Sequence, residues 1–279
     1  MNTNFGYTFG RTEKSRNNEF DELVKRLEQA PPSKKPAKKG NPLNIPANIN
    51  STADYWNIEG VNYKNKFYSV QLAKSLLDNG NAKTQAQWAE YSVLAKQNGS
   101  FYTGDMPLYH AVFTSLFKQK DNSKSKKEIE EARAFIQKQM REKYLMTLTR
   151  IPYQPIGKDK IIHNYRTNEE YELNEDIVGP DREIITGDKK ALTAILGTDD
   201  IDEIKSVYKW INQTPAWIWR VNSKPKNINE RVAWFVAGTG RAVLNCDRVP
   251  DYSDASLGVR VVVRPKGDAK NSAGQGGLI

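Results

Sequence analysis

The residues that could carry catalytic or metal chemistry are few in this sequence and lie far apart. There are two histidines, His110 and His163, and one cysteine, Cys246. A single cysteine excludes an internal disulfide and a multi-cysteine zinc site. His110 is interpreted as a solvated or hydrogen-bonded side chain, and His163, which has no Ser, Cys or acidic partner beside it in sequence, as structural. The sequence therefore predicts no enzyme and no cofactor.

Three aspartates follow one another closely near the C-terminus, at Asp247, Asp251 and Asp254. Clustered oxygen ligands can bind calcium, but this spacing matches no EF-hand, and loop carboxylates are more often solvated. The run GTGR at 238–241 lacks the GxxxxGK[ST] spacing of a phosphate-binding loop. Paired carboxylates for glycoside hydrolysis stay open, although no apolar surrounding marks one acid for a raised pKa. No metal site is predicted.

The most informative stretch begins at Trp234 and ends at Val263. Within it, Ala242, Leu244 and Cys246 alternate with Val243, Asn245 and Asp247, a period of two that is typical of a strand with one buried face. A polar loop over 248–256 follows, and then an apolar run over 257–263. The pattern predicts a hairpin at 232–263, in which Ala242, Leu244 and Cys246 point inward and Val243, Asn245 and Asp247 point outward.

A family resemblance rests on this stretch. LNCDR at 244–248 followed by SLGVRVV at 256–262 resembles the last hairpin of the C-type lectin fold, in its formylglycine-generating-enzyme-like branch. The run from Trp234 to Arg260 is similar to the variable proteins of diversity-generating retroelements, in which a reverse transcriptase rewrites codons near the 3′ end of the gene. The resemblance implies a lectin-like domain whose rewritten residues form a ligand-binding surface. The enzymes of that branch use two cysteines, so their chemistry is not carried over.

The outward positions of the hairpin are the predicted contact surface, because side chains that point away from the core change at little cost to folding. Tyr252 is the expected energetic anchor, since tyrosine gives a large contact area at low entropy cost. Arg241 and Arg248 would supply charge-assisted hydrogen bonds to an acidic partner, and Asn245 borders the surface. The predicted ligand-binding residues are Val236, Arg241, Val243, Asp247, Arg248, Val249, Asp251, Tyr252 and Asp254.

Capping residues and apolar spacing predict the elements that must position this surface. Helices are predicted to begin at or just after Ser69, Thr84, Asp105, Ser125, Lys189 and Thr198. Strands are predicted at 144–151, 160–165 and 217–221, and an irregular loop at 169–187. Together these elements predict an α+β fold, a C-type lectin-like domain with helical insertions and disordered N- and C-terminal tails.

The domain is predicted to span residues 51–266, with the variable ligand-binding hairpin at its C-terminal end. Residues 1–50 read as a disordered basic leader, because Pro, Lys and Gly leave little to bury, and residues 267–279 as a flexible Gly-rich tail. A short amphipathic helix is predicted at 18–29, through which the leader would dock onto another protein. A purely solubilising leader is the alternative.

Charge and hydropathy limit the classes of partner. The net charge of +9 arises mainly from residues 1–50, 118–144 and 264–279, so no basic face of a folded body is indicated and nucleic acid is a disfavoured partner. No apolar run approaches the roughly 20 residues of a membrane span. The N-terminus has no apolar signal core, which predicts cytoplasmic synthesis and leaves open assembly onto a virion or export by another route.

Three functions are compatible with these observations. The first is a receptor- or adhesion-type protein of a viral or prokaryotic system, which binds a protein or another macromolecule through the hypervariable C-terminal surface. The second is an enzyme of the same fold lineage whose active-site residues the sequence does not identify. The third is a structural virion or phage-tail protein that binds nothing through this face.

Overall fold

The computed structural model describes residues 55–262; the predicted leader, the tail and the ends of the predicted domain lie outside the described residues. The predicted α+β class is confirmed. The strands are β1 Tyr55–Tyr63, β2 Lys66–Leu76, β3 Leu145–Tyr153, β4 Asp159–His163, β5 Tyr171–Glu175, β6 Arg182–Glu183, β7 Ala216–Trp219, β8 Asn229–Ala237, β9 Ala242–Arg248 and β10 Leu257–Val262. The α-helices are α1 Gln85–Gln97, α2 Met106–Lys118, α3 Lys126–Glu142, α4 Lys189–Leu196 and α5 Ile201–Asn212.

The strands form two sheets. The larger has the order β5-β4-β3-β8-β9-β7-β6, and the smaller has the order β1-β2-β10. Pairing is antiparallel except between β7 and β9, which run parallel. In the small sheet β10 lies against β2, with Val259 opposite Leu72 and Val261 opposite Val70. The last described strand is thereby fixed to the first described hairpin.

The predicted hairpin at 232–263 is wrong, because its two strands belong to different sheets. β9 pairs with β8 and β7, whereas β10 pairs with β2. The segment 249–256 is therefore a crossing between sheets and not a hairpin turn. Alternating hydrophobicity shows that a strand has a buried face, but it does not show which strand lies beside it. Both strands find their partners earlier in the chain.

The helix predicted to begin at Ser69 is also wrong, since these residues form β2. Val70, Leu72 and Ala73 are buried, and β2 is hydrogen-bonded to a neighbour along both of its edges. The spacing of Val70 and Ala73 is compatible with a helix, but pairing with two strands outweighs such a local preference. The turn after β2 contains Asn79 and Gly80, both with left-handed φ.

The other helix predictions are largely confirmed, because capping is a local interaction. Thr84 forms a capping box with Gln87 at the start of α1. Asp105 caps α2 by accepting a hydrogen bond from the Leu108 backbone N–H at 2.9 Å. α5 begins two residues later than predicted, with Asp200 as the N-cap in place of Thr198. The predicted loop at 169–187 contains the short strands β5 and β6.

Helix α2 connects the core beneath the large sheet to the small sheet. The Phe113 ring lies 5.4 Å from that of Phe235 on β8. The buried Tyr109 hydroxyl donates to the Leu257 carbonyl at 2.7 Å. Gly258 permits this close packing of β10, since a Cβ there would lie 2.8 Å from Leu77 Cδ2. The start of β10 is thus held from two directions.

A buried ion cluster fixes the β6–β7 edge of the large sheet. The fully buried carboxylate of Asp188 accepts hydrogen bonds from Arg182 at 2.8 Å and Arg220 at 2.9 Å. Burial opposes ionisation of this group. The hydrogen bonds of Arg182 and the Ile185 backbone N–H, with the charge of Arg220, nevertheless hold the pKa of Asp188 below its usual value.

Within residues 55–262, no helix combines the length and apolarity that a membrane crossing requires.

Candidate ligand-binding site

The segment after β9 crosses the molecule to β10 and is anchored at its far end. The Lys83 and Asp254 backbones exchange two hydrogen bonds of 3.0 Å. The Trp88 indole N–H also donates to the Asp254 carbonyl, at 2.7 Å. Ser256 is buried and donates through its hydroxyl to the Met146 carbonyl at 3.0 Å. The crossing segment is therefore a loop with fixed ends.

At the near end of this loop the Arg248 side chain lies among three aromatic rings. Its Cζ atom is 3.9 Å from the centroid of the Tyr252 ring. The Tyr144 and Trp234 centroids lie at 4.7 and 4.9 Å. At such distances the guanidinium is attracted to the electron-rich ring faces. These rings hold the arginine in one place without consuming its hydrogen-bond donors.

The donors of Arg248 have no acceptor among residues 55–262. Its Nε atom is buried without a hydrogen-bond partner there, and none of its N–H groups donates to, or forms an ion pair with, a described residue. The indole N–H of Trp234, one of these three rings, is likewise buried without an acceptor in that part of the chain. Buried polar groups are normally satisfied. Other arginines, such as Arg141 and Arg231, also have an unsatisfied Nε, but the open donors of Arg248 lie against three aromatic rings and suit a ligand that brings acceptors.

Two carboxyl groups lie within electrostatic reach of Arg248. Burial raises the pKa of Asp254 to about 7, against the opposing charges of Arg248 and Lys143. Burial also raises the pKa of Asp247, against the charges of Arg231 and Arg248. We refer to Tyr144, Trp234, Arg248, Tyr252 and Asp254 as the Arg248 cluster.

The raised pKa of Asp254 makes stability depend on pH. The folded protein keeps this proton up to about pH 7, whereas an unperturbed carboxyl loses it near 3.8. The resulting stabilisation is present below pH ~4 and is lost as the pH rises through about 7. Asp254→Asn cannot ionise, so we expect it to be more stable than the wild type at pH 8 and similar at pH 3.5. Denaturant unfolding at both pH values measures the difference, and a difference independent of pH would contradict the assignment.

The structure contradicts the predicted exposure of Val236 and Val243. They lie opposite one another on β8 and β9 and are 0% and 2% exposed. Every residue from Ala242 to Cys246 is buried, including the bordering Asn245. β9 is an interior strand of a sheet covered on both faces, so it has no outward side. The alternation in sequence predicts one buried face and one free face, but Val243 and Asn245, which it assigns to the free face, are buried as well.

Arg241 is also misplaced in the predicted surface. Its side chain is buried, and its Cζ lies 5.3 and 5.5 Å from the ring centroids of Trp217 and Trp219. It precedes β9, whereas Arg248 ends that strand. At about 3.3 Å per residue the two backbones are about 23 Å apart. The two arginines therefore do not share one contact surface.

The remaining predicted residues follow one another from the end of β9, Asp247 and Arg248, into the crossing loop. Val249 and Asp251 are exposed, and the other four, Asp247, Arg248, Tyr252 and Asp254, are half-buried. The candidate site is thus the stretch 247–254, here called the 247–254 loop. Sequence reasoning missed Tyr144 and Trp234 as members of the site. Trp234 lies opposite Met146 on β3, and Met146 is two residues from Tyr144 in sequence. Only the pairing of β8 with β3 reveals that Trp234 and Tyr144 are close.

Cys246 is buried, as its inward alternation predicts. Burial raises the pKa of its thiol far above the usual range, which disfavours the reactive thiolate. We therefore expect a thiol reagent such as DTNB to leave Cys246 unlabelled in the native protein for as long as the global fold persists. Labelling should become complete in denaturant. Rapid labelling of the native state would place the thiol at the surface and contradict the register of β9.

Both histidines are enclosed by the protein. The His110 ring stacks on Tyr208 at 5.8 Å, and its burial lowers its pKa to about 4. His163 lies 2.9 Å from the Thr149 hydroxyl and 2.8 Å from the Ala194 carbonyl, which occupy its two ring nitrogens. Within the described part of the chain, no group of three or more His, Cys, Asp or Glu residues is arranged to hold a metal ion.

Comparisons with protein-family models, with curated proteins and with solved structures gave no match to this chain. The candidate site is therefore interpreted from its own geometry.

Proposed function

We propose that this protein is a ligand-binding protein of the receptor or adhesion type, in which a C-type lectin-like domain displays the 247–254 loop. One observation carries the proposal above the others. Arg248 is held against three aromatic rings with none of its donors accepted by residues 55–262. Aromatic rings and arginine are the groups that most often dominate the binding energy of protein interfaces.

The surroundings of the loop support this proposal. Its far end is tied to Lys83 and Trp88 by backbone and indole hydrogen bonds, so little conformational entropy is lost when a ligand binds. Val249 and Asp251 are exposed between these fixed points. Positions of this kind tolerate substitution within about ±0.5 kcal/mol of folding free energy. A scaffold with these properties can present many different loop sequences.

We further propose that a diversity-generating retroelement rewrites this loop, with a narrower set of positions than the sequence alone indicates. Val236 and Val243 are buried against each other, and changing them would disturb the core. Diversification compatible with folding therefore falls on the half-buried and exposed positions of the 247–254 loop. Arg248 and Tyr252, if varied, would alter the cluster without removing a core residue.

Sequencing the 3′ end of this gene in many related copies tests the proposal. We expect differences to concentrate in codons 247–254 and to trace to adenines of a template repeat. The codons of Ala242, Leu244 and Cys246 serve as the internal control and should stay constant. Even variation along the gene would contradict diversification. An invariant polar cluster in the loop would instead favour an enzyme.

A further inference from the structure

Arg248 differs from Arg150 and Arg260 in how its guanidinium is used. Arg150 donates to Gln85 and forms an ion pair with Glu230, and Arg260 donates to Gln71 and to a backbone carbonyl. An arginine side chain carries five N–H donors and no acceptor. The N–H donors of Arg248 face aromatic rings and solvent, and they have no acceptor within residues 55–262.

We propose that Arg248 binds a carboxylate group of an acidic protein ligand. This inference rests on the proposed function and names the chemistry of the ligand. The guanidinium fork matches a carboxylate in a planar, bidentate arrangement. Because Tyr252, Tyr144 and Trp234 already restrict the side chain, less rotamer entropy is lost on binding than for a freely moving surface arginine.

The local charges favour a carboxylate over a phosphate. Asp247 and Asp254 lie within electrostatic reach of Arg248, and the exposed Asp251 belongs to the same loop. Above about pH 7, where Asp254 also loses its proton, a phosphate with up to two negative charges would be repelled by these groups more strongly than a single carboxylate. Neither neighbouring aspartate forms an ion pair with Arg248 within 4.0 Å, so the donors are open to a ligand.

Arg166 provides a matched control on the same chain. Its guanidinium lies 5.2 Å from one ring, that of Tyr165, and it is exposed. Its side chain donates no hydrogen bond to residues 55–262, so it resembles Arg248 in having open donors. It lacks the three-ring enclosure. If enclosure is what makes Arg248 a binding group, only Arg248 should respond specifically to a carboxylate.

The test is an NMR titration of the full chain, which follows the Nε–H signals of the arginines and the indole N–H of Trp234. The probes are N-acetyl-glutamate N-methylamide, the matched glutamine derivative and inorganic phosphate. We expect the glutamate derivative to shift the Arg248 and Trp234 signals saturably, with the glutamine derivative about tenfold weaker or more. Arg166 should show no saturable shift. In Arg248→Lys the Trp234 response should be lost while the rest of the spectrum is retained.

Three outcomes would overturn the inference. One is the absence of any saturable shift at Arg248. Another is an equal response to phosphate, and the third is an equal response at Arg166, both of which would indicate nonspecific anion binding. The proposed function can be judged separately with macromolecular ligands. If substitutions of Val249, Asp251 and Tyr252 abolish ligand binding but Arg248→Lys does not, the 247–254 loop is a binding surface and the carboxylate assignment is wrong.

Discussion

Asp188→Asn is expected to lower the free energy of unfolding by about 3–5 kcal/mol. The substitution keeps the size of the side chain but removes the charge that Arg182 and Arg220 share. Arg220 is itself almost fully buried, so its positive charge would remain in the interior without a counter-ion. Guanidinium groups do not lose their proton in proteins, and the cost is therefore not relieved by a change of protonation.

Denaturant unfolding at pH 7 measures this effect, with Asp199→Asn as the control. Asp199 is largely exposed beside Lys189, and its substitution should stay within about ±0.5 kcal/mol. The depressed pKa of Asp188 also fixes the pH dependence. Its stabilisation is present above pH ~4 and is lost as the pH falls through the lower, folded-state pKa. A loss below about 1 kcal/mol at pH 7 would show that the cluster is not a buried ion network.

Leu257→Ala is expected to destabilise the protein by about 2–5 kcal/mol. Leu257 is 1% exposed and begins β10, where Tyr109 donates to its carbonyl. Truncation leaves a cavity where the 247–254 loop region meets the small sheet. Any loss of ligand binding in this variant would follow from unfolding and not from a lost contact.

Equilibrium unfolding measures the free energy of unfolding of Leu257→Ala and of the control Val249→Ala. Both changes shorten an aliphatic side chain, but Val249 is 37% exposed and should cost about 0.5 kcal/mol or less. Equal effects of the two substitutions would mean that β10 is not packed as described. Together the two variants separate residues that hold the loop from residues that the loop displays.

Local interactions were predictable from the sequence, and distant pairings were not. The capping residues Thr84 and Asp105 act on backbone groups three residues away, so their helices were found. β2 was mistaken for a helix because its neighbours, β1 and β10, lie on both sides and one of them is nearly 190 residues further along. Leu257 begins the apolar run found in the sequence and is buried, yet its partner strand could not be named from the apolar pattern alone.

The candidate site shows the same limit. Arg248, Tyr252 and Asp254 were expected to lie near each other because a short loop contains them. Val236 and Val243 were placed on the surface because a period of two indicates one buried face. It does not reveal that a second layer covers the other face. The contribution of Tyr144 to the Arg248 cluster depends on the pairing of β3 with β8, which no local pattern reports.

The central claim, that the 247–254 loop binds ligands on a scaffold that does not depend on it, is tested most directly by one binding measurement. Peptides are selected from a random displayed library against the full chain, and their Kd values are compared between the wild type and the combined Val249→Ala, Asp251→Ala and Tyr252→Ala variant. The matched control combines Ile156→Ala, Lys158→Ala and Ile228→Ala, since Ile156 and Ile228 are exposed outside the loop.

The account predicts that most selected peptides bind the loop variant at least about 30-fold more weakly, as the loss of an interface hot spot would cause. The melting temperature of that variant should shift by only a few degrees, and the control variant should bind the peptides as the wild type does. If the loop variant unfolds, or if it binds every peptide as before while the control loses them, the 247–254 loop is not the binding surface.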